Sequence, residues 1–399
     1  MNRKNSRELL AELQRRAGYV SREEQEAVLG SIKFPSEFGN AMEVYNQGIK
    51  GVEEKLPTKY QDPGEYVLLE HIFEDIRSFV KNLKTDDKRI KELPDIPTFG
   101  TVKMGSFSAQ ISGSGEGDYL ILFANGMFGF ANLLSKVIGD SFVLIKEENF
   151  YSFSTDFDQI KIRLEEKKEI QRHFNDLMMG YMIRENAHAA RQYFPSRQLS
   201  AIASIIREGM EIFVAAHEYA HLILGHLSSD TRRIRVTGEG EKNLRESQEE
   251  DDEIKESIYN WKDEVEADSL AVIITMGVMT QKGYDRALSF MGPGTAMLGM
   301  ELLEGLENLK EGRDPQTPRN SKTHPSGNLR KQVMYEIVKT DVPEALNLME
   351  SIEKIVQYLW MNYLEFYKNM EEATKKINEN LSLTDIPFEI IQRVIYKTV

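Results

Sequence analysis

Residues 214–224 of the chain read VAAHEYAHLIL. Because His217 and His221 are four residues apart, a helix would project both imidazole rings from one face, about 6 Å apart. That spacing suits two corners of a zinc tetrahedron, in which each Zn–N distance is about 2.0 Å. Glu218 lies about a quarter-turn away, where it can reach a metal-bound water but cannot complete the ligand set. The pattern therefore predicts a helix that carries two metal ligands and a general base.

Apolar residues surround this motif, so we expect its helix to be buried. The apolar pattern begins after Pro195, which suits the first turn of a helix, and predicts one helix from Ser196 to about Leu227. Two histidines and a carboxylate on a buried helix would incur a large desolvation cost if they lacked partners. A bound metal would provide the partners, and a pair of hydrogen-bonded core histidines is the alternative.

A catalytic zinc takes three protein ligands and leaves one position open, so a third ligand is needed. His226 follows His217 by nine residues, and a continuous helix would turn it to the opposite face. We therefore expect His226 to cap the helix end beyond Gly225 or to bond a loop carbonyl.

The third ligand is expected in the segment WKDEVEAD, residues 261–268. Glu264 and Asp268 are four residues apart there, so they share one face of a helix. Glu264 can bind the metal while Asp268 hydrogen-bonds the far nitrogen of a ligating histidine and fixes its tautomer. Glu266 points away and is expected to be solvated. An exposed charged helix without a metal is the alternative for this segment.

HExxH followed by ExxxD on a later helix resembles the gluzincin pattern of zinc metallopeptidases. A third window, Thr323-His324-Pro325-Ser326 with Arg330 after it, is similar to a segment of the family that includes the HtpX protease and the CAAX prenyl proteases. The stretch at 217–226 also resembles soluble bacterial zincins such as the phage-exclusion protease Lit. The likeness covers three short windows. It implies that His324 and Arg330 face the zinc and stabilise a tetrahedral oxyanion.

These features together predict a zinc-dependent endopeptidase that hydrolyses peptide bonds of a protein or peptide substrate. Zn²⁺ would be held by His217, His221 and Glu264, and Glu218 would take a proton from the attacking water. We expect the substrate to lie along a strand edge of the 99–145 region through main-chain bonds. A zincin-shaped regulatory or interaction protein that acts by binding is one alternative. Zinc-dependent hydrolysis of a non-peptide amide is another.

The amino-acid composition limits which metal ligands and nucleophiles the chain can supply. The 399 residues include no cysteine, which excludes disulfides, Cys-ligated zinc, iron–sulfur clusters and thiol nucleophiles. Any transition metal must therefore be held by histidine and carboxylate. The 64 acidic and 50 basic side chains give a formal net charge of -14, which disfavours binding to nucleic acid.

No apolar segment follows the basic start of the chain, so we expect no signal peptide and a cytoplasmic location. The one long uncharged run, Tyr119–Ser135, contains glycines and asparagines and is shorter than the about 20 apolar residues of a spanning helix. We expect a buried strand followed by a buried helix there, and no membrane span. Contact of this run with a membrane is the alternative.

The expected fold class is α+β and mostly helical. It comprises a zincin-like catalytic core with a small β-sheet and additional N- and C-terminal helices. Residues 1–95 would form an N-terminal helical region, 96–342 the metallopeptidase core and 343–399 a C-terminal helical region. The acidic segment 229–256 has little that can pack, so it predicts a mobile surface loop that restrains access to the site.

Three further local signals concern strands and turns. Apolar residues on both sides of the Gly-rich stretch Ser112–Asp118 predict a β-hairpin. A further strand is predicted at Phe142–Ile145. Gly292-Pro293-Gly294 predicts a turn.

Overall fold

The computed structural model describes residues 5–21, 47, 51–83, 93–115, 117–146, 148, 151–227, 261–318, 325–377 and 381–397. Within these ranges the protein is mostly helical with a small β-sheet, which confirms that part of the predicted fold class. The predicted acidic loop at 229–256 and His324 lie outside the described residues. The division into three regions stays a prediction.

Helices of four or more residues follow one another along the described chain. They are α1 (Ser6–Arg16), α2 (Pro63–Lys81), α3 (Asn125–Ser141), α4 (Phe157–Glu166), α5 (Lys168–Arg184), α6 (Arg197–Ile223), α7 (Trp261–Gln281), α8 (Arg286–Ser289), α9 (Met291–Lys310), α10 (Gly327–Asp341), α11 (Leu346–Ile377) and α12 (Phe388–Lys397). Short 3₁₀ turns occur at Glu53–Lys55, Ala187–Ala189, Pro343–Ala345 and Leu383–Asp385.

The local sequence explains where several helices begin. The Asp62 side chain accepts the backbone N–H of Glu65 at the start of α2, and Ser326 accepts that of Leu329 at the start of α10. Each bond satisfies a backbone donor that has no partner within the helix. The Ser326 cap fixes the first turn of the helix that carries Arg330.

The predicted β-hairpin is confirmed and belongs to a three-stranded sheet. Its strands are β1 (Thr98–Val102), β2 (Ala109–Gly115) and β3 (Asp118–Ala124), in the order β1-β3-β2. The central β3 is parallel to β1 and antiparallel to β2, with Ile111 opposite Ile121. Among the described strands β2 therefore lies at one edge of the sheet.

The strand predicted at 142–145 is also confirmed, as β4 (Val143–Lys146), one residue later. It pairs antiparallel with β5 (Tyr151–Ser154) in a separate two-stranded sheet. The uncharged run at 119–135 forms β3 and most of α3, so the predicted buried strand and buried helix are confirmed. None of the described helices combines the length and the apolar composition needed to cross a membrane.

Helix α6 runs through the main hydrophobic core and packs against α3, α7 and α9. The turn predicted at 292–294 is wrong, because these residues open α9. Proline is compatible with the first turn of a helix, where its missing N–H has no intrahelical partner. The glycine serves a close helix crossing, since a Cβ on Gly292 would lie 2.3 Å from the Gly209 backbone of α6.

Candidate metal centre

The last two turns of α6 carry the HExxH motif. The helix covers almost the whole segment predicted from 196 to about 227, but it ends at Ile223. Gly225 adopts a positive φ of 74°, which stops the helix and reverses the chain. His217, Glu218 and His221 are all buried in the core, as the apolar surroundings of the motif predict.

Three metal-ligand atoms converge at this point. His217 Nε2 lies 3.1 Å from His221 Nε2. The Glu264 carboxylate, from α7, lies 3.6 Å from each of these two nitrogens through its two oxygens. Zinc bonds of about 2.0–2.1 Å at tetrahedral angles place neighbouring ligand atoms roughly 3.3–3.4 Å apart, so the spacing fits the ion.

Burial distinguishes this group from an ordinary surface cluster of acids. His221 and Glu264 are both 0% exposed. Within the ranges that the structure describes, His217, His221 and Glu264 are the one set of histidine and acidic residues arranged to hold a metal. The set contains two imidazoles and one carboxylate and no sulfur, a combination that suits zinc.

Asp268 lies one turn after Glu264 on α7 and is buried beside the other nitrogen of His217. Its Oδ1 is 2.9 Å from His217 Nδ1. An acceptor at this position favours the tautomer in which Nδ1 carries the proton and Nε2 keeps a lone pair. That lone pair faces Glu264 and His221.

Arg330 contacts Asp268 from α10. Its Nε donates to Asp268 Oδ2 at 2.7 Å and its Nη2 donates to Oδ1 at 2.6 Å, a bidentate pair. Nη2 also lies 3.9 Å from Glu264 Oε2, and Nη1 lies 3.4 Å from Met300 Sδ. The guanidinium thus holds Asp268 in place, while its role toward an oxyanion stays a prediction.

The electrostatics of the cluster follow from burial opposed by neighbouring charges. Burial alone would raise the pKa of Asp268, but the Arg330 guanidinium and His217 together outweigh it and lower that pKa to about 2. Burial raises the pKa of Glu264 to about 7 against the opposing effects of His217 and Arg330. Burial would lower the pKa of His217, yet Asp268 raises it above its ordinary value.

Glu218 lies between this cluster and the sheet. Its carboxylate accepts a hydrogen bond from the backbone N–H of Ile111 in the edge strand β2. Burial raises the pKa of Glu218, and the neighbouring His217 and the Ile111 bond partly offset that effect. The Glu218 carboxylate is therefore held at the strand edge, and its pKa lies above the ordinary value for a glutamate.

The expectation for His226 is confirmed for its backbone only. The backbone N–H of His226 donates to the carbonyl of His221, and the backbone N–H of Gly225 donates to the carbonyl of Leu222. These two bonds cap the end of α6. Among the residues that the structure describes, the ring bonds no loop carbonyl. Instead its Nδ1 lies 3.1 Å from His221 Nδ1, and its Nε2 lies 3.3 Å from Glu266 Oε2.

The expectation that Glu266 points away and is solvated is confirmed in part, because its side chain is 36% exposed. Its Oε2 nevertheless contacts His226 Nε2, which the expectation did not include. Sequence reasoning missed this contact because helical spacing within α7 says nothing about a residue beyond the end of α6. The available signal was Gly225, which predicts a chain reversal that returns His226 to the last turn.

Comparisons with protein-family models, with curated proteins and with solved structures find no match for this chain.

Proposed function

We propose that this protein is a zinc-dependent endopeptidase of the gluzincin type, with a zincin-like core, in which His217, His221 and Glu264 hold the metal. The observation that carries the proposal is the convergence of three buried ligand residues: the two Nε2 atoms lie 3.1 Å apart, and each lies 3.6 Å from one of the two Glu264 oxygens. A hydrogen bond between two core histidines would explain the 3.1 Å contact alone. It gives no reason for a buried carboxylate 3.6 Å from both rings.

The charge of the cluster supports a divalent cation. Glu218, Glu264 and Asp268 contribute three negative charges when ionised. Arg330 contributes one positive charge, so the excess is two when His217 and His221 are neutral. Uncompensated charge in a protein interior is costly, and a dication would balance this excess.

The chemistry divides between the metal and the side chains around it. A zinc ion held here would lower the pKa of a bound water and polarise a carbonyl. Glu218 would accept the water's proton, and burial raises its pKa, which makes its carboxylate a stronger base. Asp268 keeps the His217 proton on Nδ1, and Arg330 holds Asp268 by two hydrogen bonds.

The position of β2 supports a peptide as the substrate. An extended peptide can add to the edge of a sheet through main-chain hydrogen bonds. Strand β2 lies at such an edge among the described strands, and its Ile111 N–H contacts the proposed base Glu218. A peptide aligned there would bring its backbone carbonyls close to the metal site.

Glu218→Gln tests the proposal. The zinc-loaded protein and this variant would be incubated with a peptide library derived from a proteome, and new termini would be mapped by mass spectrometry. We expect the variant to keep its zinc while its cleavage rate falls by about 10²–10⁴-fold, the usual contribution of a general base.

Glu211→Gln is the matched control, because Glu211 is a buried acid of the same helix whose ion-pair partner is Arg207. This control should cleave as the wild type does. An absence of new termini from the zinc-loaded wild type would contradict the proposal and favour a protein that acts by binding. Equal cleavage by wild type and Glu218→Gln would contradict the role of Glu218.

A further inference from the structure

The two ligand histidines have different partners on the side that faces away from the proposed metal. His217 Nδ1 meets the Asp268 carboxylate at 2.9 Å, whereas His221 Nδ1 meets another imidazole, His226, at 3.1 Å. A ligating histidine almost always donates its second ring N–H to an acceptor, and that bond fixes its tautomer. His226 occupies the acceptor position for His221.

The end of α6 builds this contact. Gly225 takes the left-handed conformation, and the backbone N–H of His226 bonds the carbonyl of His221 at 2.9 Å. This capping geometry folds the residue after the glycine back onto the last helical turn. The ring of His226 thereby packs against the ring of His221, with centroids 5.2 Å apart.

A carboxylate completes the chain on the far side of His226. Its Nε2 lies 3.3 Å from Glu266 Oε2 and 3.8 Å from Asp263 Oδ1, both on α7. With Glu266 ionised and both rings neutral, one arrangement of protons satisfies all three groups. Glu266 accepts from His226 Nε2–H, His226 Nδ1 accepts from His221 Nδ1–H, and His221 Nε2 keeps its lone pair for the metal.

We propose that His226 and Glu266 are positioning residues that set the tautomer of His221 and so raise the affinity of the site for zinc. This inference rests on the proposed metal site. It adds a relay of side chains that runs from a buried ligand to a carboxylate 36% exposed to solvent. Asp268, held by Arg330, sets the tautomer of His217 in the same way, and both of these residues are buried.

The test compares the full-length wild type with His226→Phe, His226→Gln and Glu266→Gln. Phenylalanine fills the space of the ring but cannot accept a proton, whereas glutamine can accept from His221 and donate to Glu266. Zinc affinity would be measured at pH 7.5 by competition with a chelator of known affinity. We expect His226→Phe to bind zinc about 10- to 100-fold more weakly, the usual cost of losing an outer partner.

His226→Gln should recover most of that loss, and Glu266→Gln should show a smaller decrease than His226→Phe. Long-range ¹H–¹⁵N spectra of the histidine-labelled, zinc-free protein should show His221 protonated at Nδ1 in the wild type and a mixture of the two tautomers in His226→Phe. A role limited to packing would leave this tautomer unchanged. Lys262→Met is the control, since Lys262 contacts Glu266 at 3.6 Å but is 80% exposed and lies outside the relay.

The outcomes separate this inference from the proposed function. A wild type that binds no zinc would overturn both. A wild type that binds zinc, with His226→Phe and Glu266→Gln binding equally well, would overturn the relay alone. If His226→Phe does not fold, the affinity and the His221 tautomer of Glu266→Gln decide the matter.

Discussion

Arg330 and Lys331 are consecutive residues of α10, yet they enter two different ion clusters. Lys331 Nζ lies 2.9 Å from Glu301 of α9 and 2.8 Å from Glu353 of α11. The Tyr335 hydroxyl donates to Glu353 at 2.5 Å. Arg330 instead pairs with Asp268 of α7, beside the two histidines and Glu264.

The two clusters differ in how their charges are balanced. The Lys331 cluster has two carboxylates and one ammonium, an excess of one negative charge, and its acids retain 22–25% exposure, so water can solvate that excess. With its acids ionised and its histidines neutral, the Arg330 cluster has an excess of two negative charges in nearly complete burial, and it brings three ligand atoms together. The first cluster ties three helices together, whereas the second has the charge and the geometry of a cation site.

The largest effect should come from removing a ligand. Glu264→Gln replaces the carboxylate by a neutral amide, so zinc affinity should fall by more than the roughly 100-fold that marks the loss of an outer partner. Competition with a chelator would measure it. Glu301→Gln is the matched control, because it makes the same change in the Lys331 cluster and should bind zinc as the wild type does. Equal losses of zinc affinity in both variants would show that the Arg330 cluster differs in no way from the Lys331 cluster as a zinc site.

A smaller effect is expected from Asp268→Asn. The neutral amide weakens the contact to His217 Nδ1 and leaves the Arg330 guanidinium without its carboxylate. Zinc affinity should fall by about 10- to 100-fold, and the metal-free protein should lose about 3–5 kcal/mol of stability because a buried pair is broken. Chelator competition and urea unfolding measure the two quantities. Unchanged values for both would show that Asp268 has no part in the site.

Local patterns in the sequence predicted much of the fold and the core of the site. The four-residue spacing of His217 and His221, repeated by Glu264 and Asp268, is a property of each helix alone and needs no tertiary knowledge. Likewise, the composition of the apolar run at 119–135 is enough to predict its strand and its helix.

The misjudged features depend on tertiary contacts. Gly292 serves a crossing with Gly209 that no local pattern specifies, so the Gly-Pro-Gly stretch resembled a turn. The ring of His226 reaches His221 only because Gly225 reverses the chain, and it reaches Glu266 only because α7 docks beside that reversal. The bidentate bond from Arg330 to Asp268 joins residues 62 positions apart.

Metal analysis of the wild type tests most simply whether His217, His221 and Glu264 form a zinc site. The protein would be stripped with a chelator, exposed to equimolar zinc, iron(II), magnesium and calcium, desalted and analysed by elemental mass spectrometry. We predict about one zinc per chain, in keeping with a buried site of two imidazoles and one carboxylate. A chain that retains no zinc, or that retains iron in its place, would show that these residues do not form a zinc site.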